Sequence, residues 1–152
     1  MLVTSDVNTR LKNQILKVDV EPGLEIEADQ YLLFSAVSNL VQNAIKYSCT
    51  GGMIRIRAHG LGEQTIIEVE DQCGGLSSAS PSALFKPFEQ QHNNREGLGL
   101  GLAIAHRAIA LNDGTIDVKN LPGRGCIFRI TLPGIKSNSE GINQSSRRLY
   151  AG

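Results

Sequence analysis

Three groups of residues in this chain have types and spacings that could do chemistry. The first is REGLGLGLAIAHRAI at 95–109, where Gly97, Gly99 and Gly101 alternate with leucines and run straight into an alanine-rich apolar pattern. Glycines ahead of a helix let backbone N–H groups turn toward an anion, and the helix dipole favours negative charge there. The common phosphate loops do not match. A G-x-G-x-x-G fingerprint begun at Gly97 needs a glycine where Leu102 stands, and no Gly-Lys-Ser/Thr occurs in the chain. In the second group Asn39, Asn43 and Lys46 fall at i, i+4 and i+7, which makes one stripe if the segment is helical. Asparagine is a poor helix former, so its recurrence in mid-helix fits either a solvated stripe or a ligand-binding one. The third group is EDQCGGL, where a strand-like pattern ends in the carboxylate of Asp71 and Gly74 and Gly75 follow. Such a corner is either a tight turn or a place where something approaches the backbone closely.

Elements of defined type must hold these groups. In YLLFSAVSNLVQNAIKYS, Leu33, Val37, Leu40 and Ala44 recur at helical spacing, and Asp29 is placed to cap the first turn. ILKVDVEPGLEIEAD alternates on either side of Pro22-Gly23, which predicts two short strands joined by a turn. MIRIRAHG and QTIIEVED alternate as the strands of a hairpin, and GTIDVKN with GCIFRITLP predicts another pair. The glycines open a helix from about Leu98 to Leu111, and the polar SSASPSALFKPFEQQHNNREG before it reads as a mobile loop. Residues 136–152 have no apolar period and read as a disordered tail or linker, which leaves 1–135 as one domain. Hairpin strands with a few helices predict the α+β class, a two-layer sandwich whose mixed sheet is covered on one face by about three helices.

Composition excludes several functions. The chain has 152 residues, 41% of them hydrophobic, which suits a single core of ordinary size. Fifteen Lys and Arg balance 15 Asp and Glu without gathering into a basic stripe, so nucleic acid is not an expected partner. No apolar run reaches membrane-span length, and MLVTSDVNTR lacks the apolar centre of a signal peptide. The expectation is a cytoplasmic chain with no membrane contact of its own, or the cytosolic part of a membrane-bound sensor. Cys49, Cys73 and Cys126 are odd in number and form no CxxC, so they read as reduced thiols.

Taken in order, these features resemble the ATP-binding catalytic domain of sensor histidine kinases, in the Bergerat-fold superfamily that also holds gyrase-type, heat-shock chaperone and mismatch-repair ATPases. NLVQNAIKYS looks like the asparagine box, EDQCGGL the first glycine box, LFKPFEQ the phenylalanine box and GLGLGLAIA the second glycine box. The resemblance covers roughly residues 10–134. It implies that ATP and magnesium are bound, with Asn43 as the metal ligand through its amide oxygen. It implies that Asn39 and Lys46 face the phosphates, that Tyr47 lies beside the nucleotide, and that Asp71 accepts a hydrogen bond from the exocyclic amine of adenine. Gly75 lets the backbone pass close to the base. Gly97, Gly99 and Gly101 turn amides toward the phosphates, and Leu76, Phe88, Leu98 and Leu100 complete the binding set. EQQHNNRE resembles the ATP lid, with Phe85 and Phe88 as its hinge and Arg95 near the phosphates on closure. Asn39, Lys46 and Arg95 form the catalytic set.

Two departures from the family pattern bear on function. Cys73 stands where the first glycine of Asp-x-Gly-x-Gly belongs, which puts a side chain near the adenine end; Cys49 and Cys126 have no such reason to sense a nucleotide. None of His59, His92 and His106 is followed by an acidic residue, so the phosphoacceptor is expected on a separate two-helix domain, in the same full-length protein or in trans. A response regulator would be engaged only indirectly. The glutamate that serves as general base in the hydrolases and serine kinases of this superfamily is replaced by Asn39, which favours phosphorylation of a histidine. The expected function is transfer of the γ-phosphoryl group of ATP to that histidine. The alternative is a non-catalytic nucleotide-binding module that signals by lid closure or docking.

Overall fold

The structure is a computed structural model that describes residues 13–72 and 100–134, together with the backbone of 148–150. In chain order the elements are β1 (Ile15–Val20), β2 (Glu25–Glu27), α1 (Gln30–Tyr47), β3 (Met53–Leu61), β4 (Gln64–Asp71), α2 (Leu100–Ala110), β5 (Thr115–Leu121), β6 (Gly125–Pro133) and β7 (Arg148–Tyr150). Five strands make one sheet in the order β1-β3-β4-β6-β5. β1 runs parallel to β3 and the other neighbours are antiparallel, so the sheet is mixed, as expected. Both predicted hairpins are present, as β3/β4 and β5/β6.

The segment around Pro22-Gly23 does hold two strands and a turn, with Gly23 at φ 75°. They are not partners of each other. β1 joins the main sheet, while β2 pairs antiparallel with β7 in a separate two-stranded ribbon. Alternation marks a strand and is silent about its partner, which explains the difference. The expectation of a structureless tail does not extend to Arg148–Tyr150. Two helices are described, and no third is present among the described residues.

The core lies between the helices and one face of the sheet. α1 buries Leu33, Ala36, Leu40, Val41, Ala44 and Ile45, and α2 buries Leu102, Ala105, Ala108 and Ile109. From the sheet come Ile54, Ile67, Val69, Ile116, Phe128, Ile130 and Leu132. Full burial of one such large apolar side chain stabilises the fold by about 1.5–3 kcal/mol, which makes this layer the main source of stability.

The opposite sheet face carries charge. The strand registers line up Asp19, Arg57, Glu68, Arg129 and Asp117 as one row across all five strands, alternating in sign. Glu68 lies between Arg57 at 3.5 Å and Arg129 at 3.7 Å. Opposite charges placed directly across a ladder are mildly favourable, and here they pair the buried Glu68 with a cation on each side.

Asp29 caps α1 as expected: its Oδ1 accepts from the N–H groups of Tyr31 and Leu32, both at 3.0 Å. The backbone N–H of Asp29 in turn donates to Asn112 Oδ1 at 2.9 Å, which ties the start of α1 to the end of α2. Asp29→Ala should lower unfolding free energy by about 1 kcal/mol in urea titration. Leu40→Ala, at a position with 0% exposure, should cost about 2–5 kcal/mol in the same assay.

Candidate functional site

The polar stripe of α1 is real, and its members differ in state. The Asn39 carboxamide turns back on its own helix, with Nδ2 donating to Ser35 O at 2.7 Å. Its Oδ1 faces the start of α2, where a Cβ added to Gly101 would lie 3.2 Å from it. A side chain at 101 would therefore crowd the contact between the two helices. Asn43 is half-buried and, among the described residues, its carboxamide has no hydrogen-bond partner. A hard amide oxygen in that state suits a hard cation that retains most of its waters. Lys46 is exposed, with Nζ 5.3 Å from the centroid of the Tyr47 ring, within cation–π range.

Asp71 ends β4 and is 3% exposed. Burying a carboxylate demands donors, and they come from the neighbouring strand β6. The backbone N–H of Cys126 donates to Oδ1 at 3.3 Å, and the Cys126 thiol lies 3.5 Å from Oδ1 and 3.4 Å from Oδ2. A thiol has a single proton to share between two oxygens, so lone-pair capacity remains for a further donor. Next along β6, Gly125 packs directly on the Asp71 backbone carbonyl, where a Cβ would collide with the oxygen. Glycine is required there by close approach.

Strand end and helix end meet at one corner. Cys49 N donates to Gln72 O at 3.2 Å, and Gln72 N donates to Ser48 Oγ at 3.3 Å. Gln72 Oε1 accepts from Met53 N at 2.9 Å, which closes the corner onto β3. The residue after Asp71 is thus bonded to the residues just past α1. On the other flank Gly101 begins α2 against Asn39.

Of the residues expected in the site, Asn39, Asn43, Lys46 and Tyr47 lie on α1, Asp71 at the end of β4, and Leu100 and Gly101 at the start of α2. Gly75, Leu76, Phe88, Arg95, Gly97, Leu98 and Gly99 lie outside the described residues, as do Cys73, Gly74 and Phe85. Cys126, for which the sequence offered no reason to lie near the site, sits beside Asp71. Its thiol lies in contact with Asp71, because β6 pairs with β4 and sets the two residues opposite each other. Only the pairing of β4 with β6 could have revealed it, and strand order is not written in local sequence. Among the described residues there is no group of three or more His, Cys, Asp or Glu that could hold a metal.

Residues 28–135 match the model of the histidine kinase-, DNA gyrase B- and HSP90-like ATPase family, and the chain belongs to that family. Among curated relatives, the alginate biosynthesis sensor protein KinB of Pseudomonas aeruginosa is 33% identical over 124 residues, 82% of this chain and 20% of KinB. The sensor-like histidine kinase SenX3 of Mycobacterium tuberculosis is 36% identical over 124 residues, 79% of this chain and 30% of SenX3. The chain therefore spans less than a third of the length of these relatives. The solved mycobacterial sensor histidine kinase MprB superposes with TM-score 0.77 at 26% identity, over 88% of this chain and 90% of that one. Full-length ShkA in complex with AMPPNP gives TM-score 0.76 at 26% identity, over 87% of this chain and 28% of ShkA. The mixed sheet with helices on one face is thus the fold of histidine kinase catalytic domains. No helix among the described residues is long and apolar enough to cross a membrane.

Thiol chemistry reads this arrangement. Cys49 is exposed and Cys126 buried, and reactivity follows access as well as thiolate fraction. Under native conditions N-ethylmaleimide should label Cys49 within minutes and spare Cys126 until the domain is unfolded in urea. Peptide mass spectrometry distinguishes the two sites, and rapid native labelling of Cys126 would contradict its burial against Asp71.

Proposed function

We propose that this chain is the ATP-binding catalytic domain of a sensor histidine kinase, ending near residue 135, which binds ATP with magnesium and transfers the γ-phosphoryl group to a histidine on a separate two-helix domain. The observation that carries the reading is the bonding of the α1 end to the residue after Asp71. It draws an asparagine stripe and a buried carboxylate to one corner of the sheet. The family match and the AMPPNP-bound relative ShkA support it.

On this reading Asp71 takes the exocyclic amine of adenine on the acceptor capacity that Cys126 leaves free. Guanine presents an acceptor at that place and is disfavoured. Asn43 holds magnesium, which supplies charge neutralisation at the phosphates. Lys46 and Arg95 add positive charge there, Tyr47 lies beside the nucleotide, and amides of Gly97, Gly99 and Gly101 point to the phosphates at the mouth of α2. Gly75, Leu76, Phe88, Leu98 and Leu100 complete the contacts. In the transfer the bond from the γ-phosphorus to the β,γ-bridging oxygen breaks, a phosphorus–nitrogen bond to the imidazole forms, and ADP leaves. The acceptor is a neutral imidazole whose lone pair needs no strong base, in keeping with an asparagine at position 39. A response regulator would then take the phosphoryl group from that histidine. The domain acts in the cytosol, as part of a longer sensor or in trans.

Mixing the chain with a separately expressed two-helix acceptor domain and ATP should yield phosphohistidine. Nucleotide binding without transfer would point to a binding module. Asn43→Ala should abolish magnesium-dependent ATP binding in calorimetry while leaving the circular dichroism spectrum and Tm close to wild type, because the residue is not core. If Asp71 reads the base, ADP should bind more tightly than GDP by about 1–3 kcal/mol, the cost of a buried polar group left unpaired. Asp71→Asn should shrink that preference, and equal affinities in the wild type would show that the carboxylate reads no base.

A further inference from the structure

Gln14 stands immediately before β1 and is 7% exposed, an unusual degree of burial for a glutamine. Its Nε2 donates to Ile45 O and Ser48 O, each at 3.1 Å, and reaches Cys49 O at 3.5 Å. The carbonyl of Ile45 has no helical N–H to accept from, since Cys49 N is spent on Gln72 O. Carbonyl oxygens all round Nε2 fix which way the amide faces. The other atom of that amide, Oε1, is buried without a hydrogen-bond partner among the described residues.

A buried acceptor left unpaired is costly, and an apolar residue at 14 would avoid that cost. What the amide supplies in return is a clamp on the end of α1. The clamped carbonyls belong to the corner where Cys49 N and Ser48 Oγ hold Gln72. Asn43 lies within the last two turns of α1 on one side of that corner, and Asp71 adjoins it on the other.

We infer that Gln14 is a positioning residue of the nucleotide site, fixing the spacing between the phosphate-side stripe of α1 and the base-side carboxylate of Asp71. The inference rests on the nucleotide-binding reading given above. Gln14 touches neither end of the ligand itself; it acts through the helix carbonyls. Its effect is therefore confined to a ligand long enough to engage both ends. Adenosine, which reaches only the base side, is indifferent to it.

The test uses Gln14→Met, which keeps the length of the side chain and removes both polar atoms. Affinities for Mg·ADP and for adenosine are measured by NMR titration of the folded proteins, well below the Tm of each. Mg·ADP should bind the variant about tenfold more weakly, the loss of one hydrogen-bonded anchor, while adenosine affinity stays within twofold. A Mg·ADP affinity within twofold of wild type, with only the Tm lowered, overturns the inference and leaves Gln14 a plain helix cap. Equal weakening of both ligands overturns it too, as general loosening of the domain. If wild-type protein binds neither ligand, the nucleotide reading itself has failed and the inference falls with it. Should Gln14→Met not fold, the side-chain NH2 resonances of Gln14 in wild-type protein decide: they should shift with Mg·ADP and not with adenosine, and no shift with Mg·ADP overturns the inference.

Discussion

A carboxylate withdrawn from water must be handed donors, and the burial of Asp71 is the constraint on which the rest of this structure hangs. The donors are a backbone N–H and a thiol of Cys126, so β4 has to lie beside β6 in the one register that sets these two residues opposite each other. That adjacency forces Gly125, which meets the Asp71 carbonyl, to have no side chain. It also puts β5 at the far edge of the sheet and leaves β3 to carry β1 on the other side. Strand order and the placement of one acid are a single requirement.

The helices answer to the same requirement from above. α1 is held at its start by Asp29 and by the cross-link from Asp29 N to Asn112, and at its end by Gln14, Ser48 and Cys49. Between these anchors its apolar side sinks into the sheet and its asparagine stripe stays at the rim. Asn39 and Asn43 are chemically alike yet differently employed. One is spent on its own helix beside Gly101, and the other makes no side-chain hydrogen bond among the described residues. On the lower face of the sheet the buried Glu68 is paired instead with Arg57 and Arg129 in a row of alternating charges.

Much of this was legible in the amino-acid order, because it is local. The period of Leu33, Leu40 and Ala44 marked α1, Asp29 marked its start, and alternation marked all of β1 to β6. The asparagine stripe and the Asp71 corner could be picked out for the same reason. Partnership between distant strands could not. Nothing around Glu25–Glu27 says that its partner is Arg148–Tyr150, and nothing around Cys126 says that its thiol meets Asp71 across an interval containing a helix and another strand. Gln14 was equally silent, since a lone glutamine before a strand has no signature until the end of α1 is seen resting on it.

The pairing of Asp71 with Cys126 has a consequence for how such a domain can diversify. Everything between these two residues, including the glycine-rich stretch and α2, is chain inserted between two strands that are already neighbours. The base of that insertion is pinned by the sheet, so its closure is set once by β4 and β6. Lengthening a flexible loop between fixed ends costs only about 0.6 kcal/mol for each doubling. The length of chain between β4 and β6 can therefore change without moving the acid, because the donors of Asp71 come from across the sheet.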